Sequence, residues 1–451
     1  MSRNHRQNIG IVTSEPLVAG LIYSLMIEVF NKKGIDHWHQ PNVVLYSPKL
    51  LEVNLESENG ILEATETIRR LGVNGVVVFP DTSGITEIPS KFFRTGVVIP
   101  NDINAITADE AISIRANFQK GEEISGDLRE KLLRWAEFLY TPTLGGQRGD
   151  CKSIQRSNEP LDQDTFLRAR SIKRHSSGLI ACHGGMSSQA GVEFFNGLGL
   201  RSDSSIVLMS VPTTPDFVPG IIEMQDGGLE NLARSLNPVR RLRDTMDKLG
   251  SLYPDVVISV CNTVHYFHDA MRDWSTPVVH LPRTGVESIP IAKDGKKTKV
   301  LLLATEASIK GKIFEKAAEA AGRDDIEWLI PTNLQSDVNR AIWENIVKGK
   351  YEKGGEILLE VVKIYNKVHG AGTFYVMAGC TEVVMGLKAV AAASRETLIS
   401  NDQLIDNAEA AMTTCIAAVK KVSSVAGMPS NTVIVQGVER GSSVPSTPRV
   451  A

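Results

Sequence analysis

Two short stretches of this chain set a cysteine among polar residues where a strand-like run gives way to a helical pattern. Cys261-Asn262-Thr263-Val264-His265 follows the apolar run Val256–Val260 and leads into the pattern Tyr266–Trp274. Gly379-Cys380-Thr381-Glu382 follows Thr373–Met377 and leads into Val383–Ala393. Both cysteines therefore stand at the carboxyl edge of a sheet, where open α/β proteins bind their ligands. A helix start offers free N–H groups and a partial positive charge, which favours thiolate and is expected to lower each thiol pKa. Two such thiols suit inversion at an acidic carbon. One face gives up a proton and the opposite face receives one, so one sulfur starts as thiolate and the other as thiol. The carbanion, spread into an α-carboxylate as an enediolate, needs aimed donors. Asn262, Thr263 and Thr381, with the helix-start N–H groups, are the residues expected to supply them.

The remaining cysteines read differently. The chain has five, Cys151, Cys182, Cys261, Cys380 and Cys415, widely spaced and without a C-x-x-C pair. Free thiols in a reducing compartment fit this better than a disulfide framework. Cys415 lies in the Ala-rich run Ala408–Val419 and, like Cys182, reads as a small core residue. Cys261, His265 and His268 have tolerable metal-ligand spacing, but no second cluster completes a tetrahedron, so no metal is expected. His265, one helical turn after Cys261, is open to two readings, tuning the thiol or capping and packing.

Positioning these residues is the task of an alternating chain. Strand-like runs recur at Ile9–Val12, Val43–Tyr46, Val73–Phe79, Gly96–Ile99, Gly178–Ala181, Ile206–Ser210, Pro277–His280 and Val300–Ala304. Amphipathic stretches such as Gly60–Leu71, Ala307–Ala321 and Gly355–Val368 lie between them, the pattern of parallel sheets covered by helices. At 451 residues the chain is expected to hold two or three units. Residues 141–175 are polar, with Gly145-Gly146 and two prolines, and read as a linker; after about Val422 a Ser/Pro/Gly-rich tail begins. A faint repeat is also present. Val76-Val77-Val78-Phe79-Pro80-Asp81-Thr82 resembles Val257-Ile258-Ser259-Val260-Cys261-Asn262-Thr263, and Asp81 precedes Thr95-Gly96-Val97-Val98 by 14 positions as Asn262 precedes Thr276-Pro277-Val278-Val279. The first ~125 residues thus read as a lobe of the same architecture with Pro80 in place of the thiol.

Composition narrows the function classes. A net charge of −3 gives no reason to expect nucleic acid or an anionic membrane as partner. No apolar run approaches a membrane span, and Met1–Arg6 leads into a short strand with no signal-peptide stretch, so a cytoplasmic location is expected.

On these residues, positions from about 175 to 420 resemble the aspartate/glutamate racemase superfamily, enzymes that work without pyridoxal phosphate. The family signatures Cys-Asn-Thr-Ala-His and Gly-Cys-Thr-Glu are matched at Cys261–His265 and Gly379–Glu382. Its opening Gly-Gly-Met loop is matched by His183-Gly184-Gly185-Met186-Ser187-Ser188, and Leu-Leu-Ala-Thr by Leu302-Leu303-Ala304-Thr305. The resemblance implies two similar α/β lobes with one catalytic cysteine from each facing a cleft, no cofactor and no metal. It further implies an amino-acid substrate, with Ser187 and Ser188 holding its carboxylate, Thr305 and Ser308 facing the cleft, His183, His265 and Glu382 in support, and a homodimer.

Two departures qualify it. Aspartate racemases carry Pro-Asp-Arg after the second strand, whereas Pro215-Asp216-Phe217 stands here, and an aromatic ring cannot pair with a side-chain carboxylate. A lysine usual early in a second-lobe helix aligns with Glu352, next to Lys353. Phe217 is therefore expected in the substrate pocket, and the substrate is expected not to be aspartate. The second departure is the extra N-terminal lobe. The organisation expected is then an additional, degenerate α/β lobe over 1–125, a helix and linker over 126–174, a two-lobed racemase-like domain over 175–422 and a flexible tail over 423–451. The function expected is a cofactor-independent amino-acid racemase or epimerase. A cis-trans isomerase resembling maleate isomerase and a non-catalytic amino-acid-binding protein are the alternatives.

Overall fold

The computed structural model describes residues 8–35, 40–49, 53, 55, 57–73, 75–79, 97–98, 106–140, 178–211, 238–267, 276–292, 295–393, 399–400, 402–425 and 438–439. Its strands fall into three consecutive sets of four. The first is β1 (Asn8–Thr13), β2 (Asn42–Ser47), β3 (Gly75–Phe79) and β4 (Val97–Val98). The second is β5 (Leu179–Gly184), β6 (Ser205–Ser210), β7 (Val256–Ser259) and β8 (Val278–Val279). The third is β9 (Thr298–Leu303), β10 (Ile326–Leu329), β11 (Tyr375–Ala378) and β12 (Leu404–Ile405). Within every set the spatial order is second, first, third, fourth, and all pairings are parallel. Such strands are covered on both faces, which is why β5 and β6 are buried at every position and, His183 apart, apolar or small.

Two α/β sheets result where three lobes were expected. The third set forms a four-stranded sheet of its own. The first and second sets join edge to edge, β2 antiparallel to β6, into a nine-stranded sheet whose far edge is completed by β13 (Val438–Glu439) on β8. The N-terminal lobe is thus continuous with its neighbour. The helix Asn407–Val425 returns from the third set to the second, where Met412, Cys415 and Val419 share a core with Ile180, Cys182 and Phe195. The third lobe is therefore an insertion between β8 and this returning helix.

Several local expectations are corrected. The stretch Ala307–Ala321 forms two helices, Glu306–Lys310 and Ile313–Ala320, broken where Lys312 takes φ 51°. Gly311, at the break, lies so close to Tyr266 that a Cβ would come within 2.9 Å of its ring. After Cys261 a 3₁₀ turn, Thr263–Phe267, stands where a helix was expected, and residues 268–275 lie outside the described residues. The final helix continues past 422, and Val438–Glu439 pair in the sheet, so residues 423–451 are not wholly a tail. The stretch 141–175 read as a linker, and Pro80, lie outside the described residues. The short strands β10, β12 and β13 were not foreseen. A four-residue or two-residue edge strand needs only one buried face and leaves almost no alternation to read.

The helix Thr381–Ala393, which starts at the second cysteine, packs on Tyr351–His369 through a glycine pair. A Cβ on Gly355 would fall on the Gly386 carbonyl and press Val390 at 2.5 Å. Gly355→Ala is expected to destabilise the protein by about 2–3 kcal/mol through overpacking. Gly250→Ala, where a Cβ meets open space, should change stability by less than ~0.5 kcal/mol. Urea unfolding of the two variants makes the comparison.

Candidate active site

β7 and β11 carry the two cysteines to equivalent places. Val256 pairs with Ile180 of the central strand as Tyr375 pairs with Val300, and Cys261 and Cys380 follow Val256 and Tyr375 at the same interval. Gly379 precedes the second thiol because a Cβ there would press on Ala304 and Leu302 at 2.6 and 2.7 Å.

Glu382 links the two thiols. Cys380 is buried and its Sγ–H donates to Glu382 Oε2 at 2.7 Å, an oxygen that also accepts from Thr381 Oγ1 at 3.0 Å. Burial raises the Cys380 pKa well above the ordinary thiol value. The Glu382 charge and hydrogen bond raise it further, and so does the nearby Cys261, against one backbone N–H at Glu382. Burial likewise pushes Cys261 up to about 12. The backbone N–H groups of Val264 and Thr263 and the Thr263 hydroxyl pull it down, and Glu382 pushes it up again. The expected lowering of both pKa values is thus reversed. The helix-start N–H groups do act on the sulfurs, but desolvation and a buried carboxylate outweigh them.

The polar neighbours bring the two lobes together. Thr263 Oγ1 from the second set lies 3.2 Å from Thr305 Oγ1 and 3.0 Å from Ser308 Oγ of the third, and those two are 3.0 Å apart. Thr305 caps its helix by accepting from Ser308 N. Asn262 is buried, and its Oδ1 accepts from Asn407 Nδ2 at 3.2 Å. Asn262 Nδ2 is buried and has no hydrogen-bond partner among the described residues, which leaves its N–H groups available as donors. Asn407 was missed because it enters from the first turn of the returning helix, far along the sequence. Tyr351 was also missed. Burial first, then Glu193, Glu28 and Glu382, raise its pKa to about 12, so its phenol faces the same acidic surroundings. Glu352 and Lys353 on that helix are exposed, which removes both from the site.

Other expected residues take structural positions. His265 Nε2 lies 3.2 Å from the Ser259 carbonyl and 3.4 Å from Leu281 N, and its ring sits 4.6 Å from that of His280, so it ties β7 to the helix Leu281–Glu287. His183, buried at the end of β5, has Nδ1 2.9 Å from Ser259 Oγ, and burial lowers its pKa to about 4. Ser187 caps the helix Ser188–Arg201 by backbone geometry, without a side-chain hydrogen bond. Ser188 Oγ donates instead to Gln40 Oε1 of the first lobe at 3.3 Å. Gly185 ahead of them has φ 114°, and a Cβ would fall on the Val211 backbone. Phe217 lies outside the described residues. Cys182 and Cys415 are fully buried core residues. No group of three or more His, Cys, Asp or Glu side chains able to hold a metal occurs among the described residues, and no described helix is long and apolar enough to cross a membrane. A separate cavity of about 330 Å³ opens in the first lobe between Thr13, Glu15, Phe79, Thr107 and Arg115.

No family model matches the chain. Among solved structures it is similar to the aspartate racemase of Picrophilus torridus, with 20% identity and a TM-score of 0.41 over 56% of this chain and 100% of that one. An aspartate racemase homologue from Pyrococcus horikoshii OT3 is similar at 19% identity and a TM-score of 0.39, over 54% of this chain and 99% of its own. The glutamate racemase of Campylobacter jejuni subsp. jejuni is similar at 15% identity and a TM-score of 0.32, over 55% and 97%.

Two measurements check the electrostatics. With both thiol pKa values raised, the substrate-free protein should be alkylated slowly by iodoacetamide at neutral pH, the rate at Cys261 climbing only in alkali. Glu382→Gln removes a negative charge and should move that rise to lower pH, read by mass spectrometry of the labelled peptide. His183, held neutral in the fold, adds stability that is present above the unfolded imidazole value and lost as pH falls towards 4. The loss should be roughly 3 kcal/mol. His183→Asn should flatten that part of the profile of unfolding free energy against pH.

Proposed function

We propose that the chain is a cofactor-independent amino-acid racemase or epimerase that inverts Cα with Cys261 and Cys380 on opposite faces of the substrate. The single observation that carries this is that two thiols from different lobes stand at equivalent strand ends, one of them hydrogen-bonded to the Glu382 carboxylate that also raises the other. The motif resemblance of Cys261–His265 and Gly379–Glu382 points the same way.

The chemistry balances without a further reagent. Cys380 passes its proton to Glu382, to which it is already bonded, and becomes thiolate. That thiolate takes the Cα proton, the C–H electron pair moves into the enediolate, and Cys261 gives its own proton to the opposite face as the pair returns to carbon. Cys261 is then the thiolate, ready for the other enantiomer. A raised pKa reduces the thiolate population of the empty site but makes each thiolate a stronger base towards a weakly acidic C–H. The ammonium of the bound substrate supplies positive charge that lowers the cost of the thiolate. Asn262 Nδ2, Ser187 and the N–H groups beside each cysteine are the donors for the carboxylate as it gains charge. With Phe217 in place of an arginine, the side chain accepted is neutral or aromatic rather than that of aspartate.

Incubation of D- and L-amino acids with the protein in deuterated water tests this. Loss of the Cα proton signal, with the opposite enantiomer appearing on chiral chromatography, is the expected result, fastest for a substrate other than aspartate. Cys261→Ala and Cys380→Ala should each lower racemisation by about 10²–10⁴-fold. Binding with no exchange for any amino acid would mean a sensor instead, and turnover of maleate alone would mean a cis-trans isomerase.

A further inference from the structure

The first and second sets of strands match in register, residue for residue. Asn8 pairs with Asn42 as Leu179 pairs with Ser205; Ile9 with Gly75 as Ile180 with Val256; Val76 with Val97 as Val257 with Val278. Under this equivalence β2 and β6 are the same strand of two copies, and Leu45 and Leu208 are the same position. These two leucines stand directly opposite one another in the antiparallel β2–β6 pairing. The flanking pairs read identically from either side. Val43 opposite Ser210 is the counterpart of Ser47 opposite Ile206, and Val44 opposite Met209 is the counterpart of Tyr46 opposite Val207. A patch that meets its own equivalent in this way is the mark of a two-fold interface, here with its axis at Leu45 and Leu208 inside one chain.

Helix packing obeys the same axis. Pro16–Lys32 follows β1 as Ser188–Arg201 follows β5, and the two helices pack on each other through buried Leu17, Tyr23, Phe194 and Phe195. A Cβ on Gly20 would fall on the Asn196 amide, and one on Gly199 would meet Pro16 at 2.5 Å. Several polar groups pair across the seam. Tyr23 Oη donates to Ser210 Oγ at 2.8 Å, Lys49 N to Ser205 Oγ at 3.0 Å, and Arg115 to the Gly199 carbonyl at 3.2 Å. Without its partner, β6 would be an apolar edge strand with unpaired N–H and C=O groups, a surface a second copy would cover.

We infer that residues 8–140 stand in for a second subunit, so that one chain holds internally the two-fold interface of a dimer and works alone. This replaces the homodimer implied by the family resemblance. The stand-in also reaches the site. Gln40 accepts from Ser188, and Tyr23 donates to Ser210, whose neighbour Val211 N donates to the Gly184 carbonyl at 3.0 Å, so the loop Gly185–Ser188 is held from behind at both ends. Gln40 and Tyr23 are positioning residues for that loop; neither touches the thiols.

Light scattering on the full chain reads the first part, and it does not depend on which reaction the cleft performs. A particle of one-chain mass, 49.2 kDa, at every accessible concentration is expected; a stable two-chain particle overturns the stand-in. The second part rests on the racemase reading. Tyr23→Phe and Gln40→Met in the full chain should raise KM about tenfold while kcat stays within about twofold, each variant keeping the wild-type mass. An unchanged KM, or a kcat that falls alone, overturns the positioning role. Should the racemase reading fail, no turnover is seen in any variant, while the mass still decides for or against the stand-in.

Discussion

Burial, reinforced by the buried carboxylate of Glu382, sets the state of both sulfurs. A carboxylate taken out of water is costly unless donors surround it. Here the donors are the Cys380 thiol and the Thr381 hydroxyl, neither of them a cation. Among the described residues no basic side chain bonds to the carboxylate, and it raises the pKa of both Cys261 and Cys380. The empty site therefore rests with its protons on sulfur.

Around this core the lobes are locked by small polar groups rather than by ion pairs. The Thr263, Thr305 and Ser308 hydroxyls and the Asn262–Asn407 amide pair are buried at the junction of two sheets. Short side chains with fixed rotamers lose little entropy on ordering and tolerate only a narrow separation between lobes. They hold the two sheet edges, and with them the two cysteines, at a set spacing.

One strand order serves two purposes in this chain. In the second and third sets it delivers a thiol beyond the third strand. In the first set proline follows the third strand, and the lobe offers its second strand and its first helix to a neighbour of matching register. A lobe of this kind has one exposed edge at its second strand, and covering that edge with an equivalent lobe satisfies every backbone group along it.

The sequence by itself determined the strands of the central pattern and the two cysteine junctions. Continuous apolar runs ending in Cys-Asn-Thr and Gly-Cys-Thr-Glu are local signals that need no neighbours to be recognised. The repeat of Val76–Thr82 in Val257–Thr263 was also legible, because equivalent register leaves equal spacing along the chain. What only the tertiary structure decided was everything that depends on distance through space. The joining of β2 to β6 was hidden because an edge strand looks the same in sequence whatever pairs with it. Asn407 and Tyr351 come from helices remote in the chain, and Ser188 looked like a ligand residue until Gln40 lay beside it. The thiol pKa values turned the other way for the same reason. A helix start is written in the sequence, but desolvation is the sum of all the atoms that exclude water, and only the folded packing supplies that sum.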